Sequence, residues 1–285
     1  MHITASKLND ITNVGDALSA AGLNWIAEEQ PLLTGSGKVI DTHKAILRSD
    51  NNSIIGIVGS GYKVIQNGTA FVFFDTLCSQ YQAKFTDAYV LGDGAKVILK
   101  AYVNGNMKIK KGDELRKRIS LFNSFDGSIG VMAQFEVYRM ICKNGLMGWA
   151  KENKVYIRHT GNAETRLTAA MEIMAKSTAY FQKFEQTAKI LANKIADTAM
   201  VERFLKDMFG SDSKRTENTK DEVRKLTETG AGNGDGSLWS LYNGLTDYVD
   251  HFRNDDSDKL LISSNFGSGV AMKEKAWDLV VAYSK

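Results

Sequence analysis

The stretch Lys96-Val-Ile-Leu-Lys-Ala-Tyr-Val-Asn-Gly-Asn-Met-Lys-Ile-Lys-Lys111 decides the fold class. Its first eight residues alternate with period two. Val97, Leu99, Ala101 and Val103 form one set, and Lys96, Ile98, Lys100 and Tyr102 the other. This is the signature of a strand with one core face and one basic, aromatic face. Asn104-Gly105 follows at once, and because a type I′ turn needs positive φ at both central residues, the dipeptide predicts a hairpin returning through Met107 to Lys110. A second hairpin is expected at Asp126-Gly127, joining Arg118 to Phe122 with Ile129 to Cys142.

Working outward, the apolar residues Leu8, Ile11, Val14, Ala17, Leu18 and Ala21 fall three or four apart, which predicts a helix over Ser6 to Glu28 interrupted near Asn13 to Gly15. Short strands are expected at His43 to Leu47, Ser53 to Val58 and Tyr62 to Ile65, then an apolar helix from Thr69 to Tyr81. Beyond Asn162 the periodicity becomes helical. A long helix spans Ala163 to about Asp197, Asp197-Thr198 caps the next through Phe209, Ser211 to Thr219 reads as a loop, and Asp221 to Thr227 as a short helix. The glycine run Gly230 to Gly236 is a break before two last helices, Leu238 to Phe252 and Val270 to Tyr283. The expectation is an α+β fold: a curved antiparallel sheet of about four strands with hairpins packed on a helix, in a core over residues 1–160, followed by a helical C-terminal region over 161–285.

Composition excludes several classes. With 285 residues and 43% apolar content the chain builds a core without staples, and a single proline, Pro31, argues for continuous elements. Two cysteines, Cys78 and Cys142, are too few for a disulfide framework and indicate a reducing compartment. No apolar run is long enough to span a membrane and the N-terminus lacks a signal-peptide core, so a cytoplasmic protein is expected. A phosphate-binding loop at Gly37-Lys38 needs glycine at 32 and a hydroxyl at 39, where Leu32 and Val39 stand. The histidines at 2, 43, 159 and 251 share no metal-ligand spacing, so no metal, cofactor or catalytic residue is expected. Cys142 with His159 is the one nucleophile and base pair worth naming, and a cysteine ending an apolar strand reads first as a core residue.

Charge points elsewhere. The whole chain carries +3, but Lys96 to Arg118 holds eight basic and two acidic residues, a local +6 that leaves the remainder at −3. Lys96, Lys100, Lys108, Lys110, Lys111, Arg116, Lys117 and Arg118 form a band able to hold phosphates, and Tyr102 among them suits base stacking. The alternative is a lysine-rich sheet edge kept soluble.

Five strings carry a resemblance: Gly61-Tyr-Lys-Val-Ile-Gln-Asn67, Asn123-Ser-Phe-Asp-Gly-Ser128, Tyr138-Arg-Met-Ile-Cys-Lys-Asn144, Ile157-Arg-His-Thr160 and Ser237-Leu-Trp-Ser-Leu-Tyr-Asn-Gly-Leu-Thr-Asp-Tyr-Val-Asp-His251. They resemble the phage/plasmid-like family of unknown function, domain of unknown function 932, in order from about Arg48 to Ala282. Phe125 stands where that family commonly has histidine, which weakens any metal or acid/base role. The element order also resembles the Rad-fifty-two-type single-strand annealing proteins. That second resemblance implies a homo-oligomeric ring or filament whose hairpins hold single-stranded DNA by its backbone, with Arg139 and Arg158 as further groove candidates. The competing expectations are an interaction protein that inhibits a host factor and a Cys142-dependent enzyme. Asn123, Asp126 and Asn144 read as turn and cap residues, and Gly61 and Gly127 as turn glycines.

Overall fold

A computed structural model describes residues 3–72, 74–156, 163–210, 213–254 and 256–285. The fold is α+β, with antiparallel, open sheets and helices concentrated toward the C-terminus. Two compact units are interleaved in sequence. The first takes Met1–Asn104, Arg118–Gln134 and Lys154–Lys176, and the second takes Gly105–Lys117, Phe135–Asn153 and Ser177–Lys285.

The strands are β1 (Ile3–Ile11), β2 (Ala27–Leu33), β3 (Val39–Arg48), β4 (Ile54–Gly59), β5 (Lys84–Leu91), β6 (Lys96–Lys110), β7 (Asp113–Ser124), β8 (Met132–Arg139), β9 (Asn144–Leu146) and β10 (Lys154–Tyr156). Among the described residues the larger sheet has seven strands in the order β1-β5-β6-β7-β8-β10, with β9 also on β8, and β2-β3-β4 form a separate sheet. The expected sheet of about four strands is therefore an undercount.

In the first unit, the helix expected across Ser6 to Glu28 is instead β1 followed by α1 (Val14–Ala20). Asn9 and Asp10 take left-handed backbone with φ of +48 and +62, and the pairing of β1 with β5 shifts register between Lys7 and Ile11. This bulge puts Leu8 and Ile11 three apart, so a period-two strand imitates helical spacing. The α1 part holds: Asn13 caps it by accepting from the Asp16 amide, and Val14, Ala17 and Leu18 are buried. The strands expected near His43 and Ser53 are β3 and β4, whereas Tyr62 to Ile65 forms no strand. The Thr69 helix is two pieces, α2 (Asn67–Phe71) and α3 (Phe74–Tyr81).

β6 is present but runs through Asn104-Gly105 without turning. Gly105 does take a positive φ, +89, inside the strand, as a bulge glycine does. The chain reverses at Lys111-Gly112, where Gly112 has φ +80. The second hairpin expectation holds better: β7 and β8 are neighbours joined through Asp126-Gly127, with Gly127 at φ +72.

The second unit holds the C-terminal part of α4 (Ala163–Asn193) with α5 (Thr198–Phe209), α6 (Lys214–Thr229), α7 (Leu238–Asp247), α8 (Ser257–Phe266) and α9 (Ser268–Tyr283); α7 packs on α6 and α9, α5 and α8 pack on α9, and Phe184 of α4 meets Trp239 and Trp277. A π-helical turn, Tyr248–Phe252, extends α7. Asp197, Ser213 and Ser237 each accept an amide hydrogen bond from the first turn of the following helix. Helix α6 overruns the loop expected up to Thr219, because its polar length is carried by the Ser213 cap and by ion pairs Lys220–Glu217, Arg224–Asp221 and Lys225–Glu222. The core is aromatic: the Phe184 and Trp277 rings stack at 4.2 Å, and Trp149 and Tyr242 meet Trp277 edge-on.

Helix α7 is buried along its whole length, and Gly244 lets α6 approach it. A Cβ on Gly244 would sit 2.3 Å from Thr227 Oγ1 and 2.7 Å from its backbone nitrogen. Gly244→Ala is expected to lower stability by about 1–3 kcal/mol despite its helix-propensity gain of about 1 kcal/mol. Denaturant melts check this, and an unchanged midpoint would contradict the close approach.

Candidate nucleic-acid interface

The structure divides the basic band into groups of different character. In the first unit, Val97 through Ala101 are all buried, so neither face of this part of β6 is open, and Lys100 is only 2% exposed. This corrects the expectation of a solvent-facing basic side. Lys100 lies with its ammonium 5.6 Å from the centre of the Tyr89 ring. Arg118 is buried as well. Lys96 pairs with Asp126 at 2.8 Å. Burial alone raises the Asp126 carboxyl, but hydrogen bonds from Lys96 and Ser128 hold it below its usual range. Tyr102 is half-buried and aligned with Lys84 of β5. Arg158 lies outside the described residues.

In the second unit, the end of the β6–β7 hairpin keeps its charge at the surface. Alternation buries Met107 and Ile109 and turns Lys108 outward, with Lys111 exposed in the turn and Arg116 and Lys117 half-buried on β7. Lys117 reaches across Gly105, where an added Cβ would come within 3.2 Å of its ammonium. Lys110 pairs with Asp235 at 2.6 Å. Burial works to raise the Asp235 carboxyl, but hydrogen bonds from Lys110, Ser237 and Ser240 hold it well below its ordinary range. Next to the hairpin, the Met140 amide donates to the Glu114 carbonyl, and the following segment exposes Met140, Ile141 and Lys143.

Arg139 is not a groove residue. It is 0% exposed, and each of its five N–H groups has an acceptor. Nε and one terminal nitrogen bind the two Asp113 oxygens at 2.8 and 2.6 Å. The remaining N–H groups reach the carbonyls of Ala231 and Gly232 and the Asn233 amide oxygen at 3.0–3.2 Å. Asp113 also accepts from the Trp239 indole at 2.8 Å. The first residue of β7 is thereby fixed to the glycine-rich loop and to α7, which braces the cationic turn beside it. Of these partners the sequence reading missed Asp113, Asn233, Asp235 and Trp239.

Asn144 is no turn residue. It lies buried in β9, donating to Asp247 and Thr246 and accepting from His251. Asn123 is likewise buried in β7, donating to the Ile65 carbonyl and Asn67. Asp126 does close a turn, through Ser128. Cys142 meets the lone features of a nucleophile poorly, because burial pushes its thiol up to about 12 and leaves little thiolate near neutral pH. His251 contacts the Cys142 carbonyl rather than its sulfur, and His159 lies outside the described residues. Among the described residues no group of three or more His, Cys, Asp or Glu is placed to hold a metal ion, and no helix is long and apolar enough to cross a membrane. A pocket of about 250 Å³ between α5, α6 and the glycine-rich loop has its guanidinium, Arg224, already bound to Glu202 and Asp221.

Fold and site together define an open α+β protein with a braced cationic hairpin. Residues 54–277 match the family model described as Domain of unknown function (DUF932), and the chain belongs to this family. No curated protein and no solved structure matches it, and a likeness to annealing proteins is not shown.

Removing one partner of a buried ion pair strands the other charge. Asp113→Leu is expected to cost about 3–5 kcal/mol, and the double change Asp113→Leu with Arg139→Met to cost less than Asp113→Leu or Arg139→Met alone. Chemical denaturation of the three variants decides this. For Asp235, whose folded-state pKa is depressed, the stability contribution is present above the unfolded carboxyl value of about 3.9 and is lost as pH falls through the folded value. Melting temperatures of Asp235→Asn should therefore fall less steeply than wild type below about pH 4, and parallel curves would count against the Lys110 pair.

Proposed function

We propose that this protein binds single-stranded DNA through the end of the β6–β7 hairpin and promotes strand annealing in phage or plasmid recombination or replication. It acts in the cytoplasm as a homo-oligomer. The observation that carries this reading is the concentration of Lys108, Lys110, Lys111, Arg116 and Lys117 within Gly105–Lys117, where Asp113 is neutralised internally by Arg139. Glu114 is the one other acid of that segment. A phosphate backbone is recognised by such cations without base contacts, which leaves the bases available for pairing. Lys108 and Lys111 are the leading phosphate contacts because both are exposed, and Lys110 joins them by exchanging Asp235 for phosphate. The corrected positions of Lys96, Lys100, Arg118 and Arg139 reduce the number of phosphates held per chain to about five or fewer.

Fluorescence anisotropy with a single-stranded oligonucleotide over a salt series tests the reading. Five contacts at about 0.7 each give a log–log slope no steeper than about −3.5. Lys108→Glu with Lys111→Glu should weaken binding at least about tenfold and flatten the slope by about 1.4. Binding unaffected by the double change, or absent at low salt, would discard the proposal and favour an interaction with a host protein.

A further inference from the structure

We propose that the turn Met140–Lys143 and the neighbouring rings of His251 and Phe252 form a platform on which unpaired nucleobases stack, next to the cationic end of the hairpin. This inference rests on the single-strand reading and deepens it, because it gives the bases a place while the lysines hold the backbone. All of the residues involved belong to the second unit.

The turn joins β8 to β9 and is fixed at both ends, since Arg139 and Asn144 on either side of it are buried and hydrogen-bonded. Between them the pattern reverses. Met140 is 37% exposed, Ile141 is 45% exposed, and Lys143 is exposed as well. Lys143 takes left-handed backbone with φ +60, a conformation that costs a side-chain-bearing residue energy and persists only where the surroundings enforce it. Ile141 rests against the glycine-rich loop, because a Cβ on Gly232 would come within 3.2 Å of its side chain. Two apolar side chains are thus displayed by a braced turn.

The π-helical turn brings the rings to the same place. Its Val249 is buried and its Asp250 is held inside, paired with Lys273 and accepting from the Gly145 amide, while His251 and Phe252 are exposed. His251 Nε2 donates to the Cys142 carbonyl at 3.0 Å and to Asn144 Oδ1 at 2.7 Å, which seats its ring on the turn. The Phe252 ring stands edge-on to it, with centroids 6.4 Å apart, and is 53% exposed.

Charge selects the occupant. The Met140 amide donates to the Glu114 carbonyl, two residues before Arg116 on β7, so the turn adjoins the hairpin directly. Lys108, Lys111 and Lys143 are exposed and make no ion pair among the described residues, whereas the segments that carry them hold one exposed acid, Glu114. The nearby carboxylates of Asp247 and Asp250 are taken up internally. A fitting partner offers anionic groups along a backbone with flat apolar faces between them, which is the chemistry of single-stranded nucleic acid. In a duplex those faces are already stacked on one another. Tyr102, the stacking residue that the sequence suggested, is half-buried in the first unit, and Phe252 takes its expected part.

The test uses the full-length protein, a single-stranded deoxyoligonucleotide carrying a fluorescent purine analogue whose emission reports stacking, and the duplex of the same sequence. Wild type should change the emission on binding and hold the single strand at least about tenfold tighter than the duplex. Phe252→Ala should lower single-strand affinity about tenfold and remove the emission change with the salt slope intact, because no phosphate contact is lost. Phe252→Trp should bind as wild type does, and Lys143→Glu should instead flatten the slope by about 0.7. Because Phe252 is exposed, circular dichroism and melting temperature of its variants should match wild type. Single-strand binding of normal slope that ignores Phe252→Ala overturns the platform and leaves the hairpin reading standing. Equal affinity for the duplex overturns the platform too, as does Phe252-dependent binding of an acidic peptide or of anionic vesicles when strand binding does not need Phe252. Absence of any strand binding overturns both readings.

Discussion

A guanidinium removed from water must have every donor answered, and much of the second unit is arranged around that demand. The Arg139 side chain sets three elements at once: the start of β7 through Asp113, the glycine-rich loop through its carbonyls, and α7 through the indole that shares Asp113. Gly232 belongs to the same constraint, because a Cβ there would lie 2.8 Å from the guanidinium. Such a pair is weak evidence of net stability, since desolvation offsets much of the attraction, but it is unforgiving of alternative registers. The cationic turn at Lys111-Gly112 is therefore held at the end of a hairpin whose root cannot slide.

That anchoring changes the meaning of the basic segment. Eight cations between Lys96 and Arg118 look like one band when written in a line, but the fold spends them differently. Lys96 closes a turn with Asp126, Lys100 and Arg118 are buried, and the surface keeps the five beyond Gly105.

What was legible in the sequence was local. The period-two run of β6, the cap at Asp197 and the long α4 follow from side-chain spacing and a carboxylate cap. The misreadings have one cause, a tertiary partner outvoting a local signal. Gly105 and Gly112 both supply positive φ, and only pairing along the full length of β6 and β7 selects which one turns the chain. The burial of Lys100 depends on cover over both faces of its strand, which alternation does not encode. At the N-terminus, a two-residue bulge turned strand spacing into apparent helical spacing. The oxygen acceptors of Arg139 are 26 to 94 residues away in sequence, beyond any motif.

The interleaving of the two units has a consequence for how the protein is made. Asp113 and Trp239 are 126 residues apart, and the loop carbonyls that complete the Arg139 shell are more than 90 residues downstream of it. While a ribosome is still extending the chain, the hairpin emerges long before the groups that satisfy its buried charge. The cationic turn then exists for a time on an unbraced ribbon beside a large negatively charged template. A nascent chain interrupted before residue 231 thus carries its cations without the acceptors that frame them.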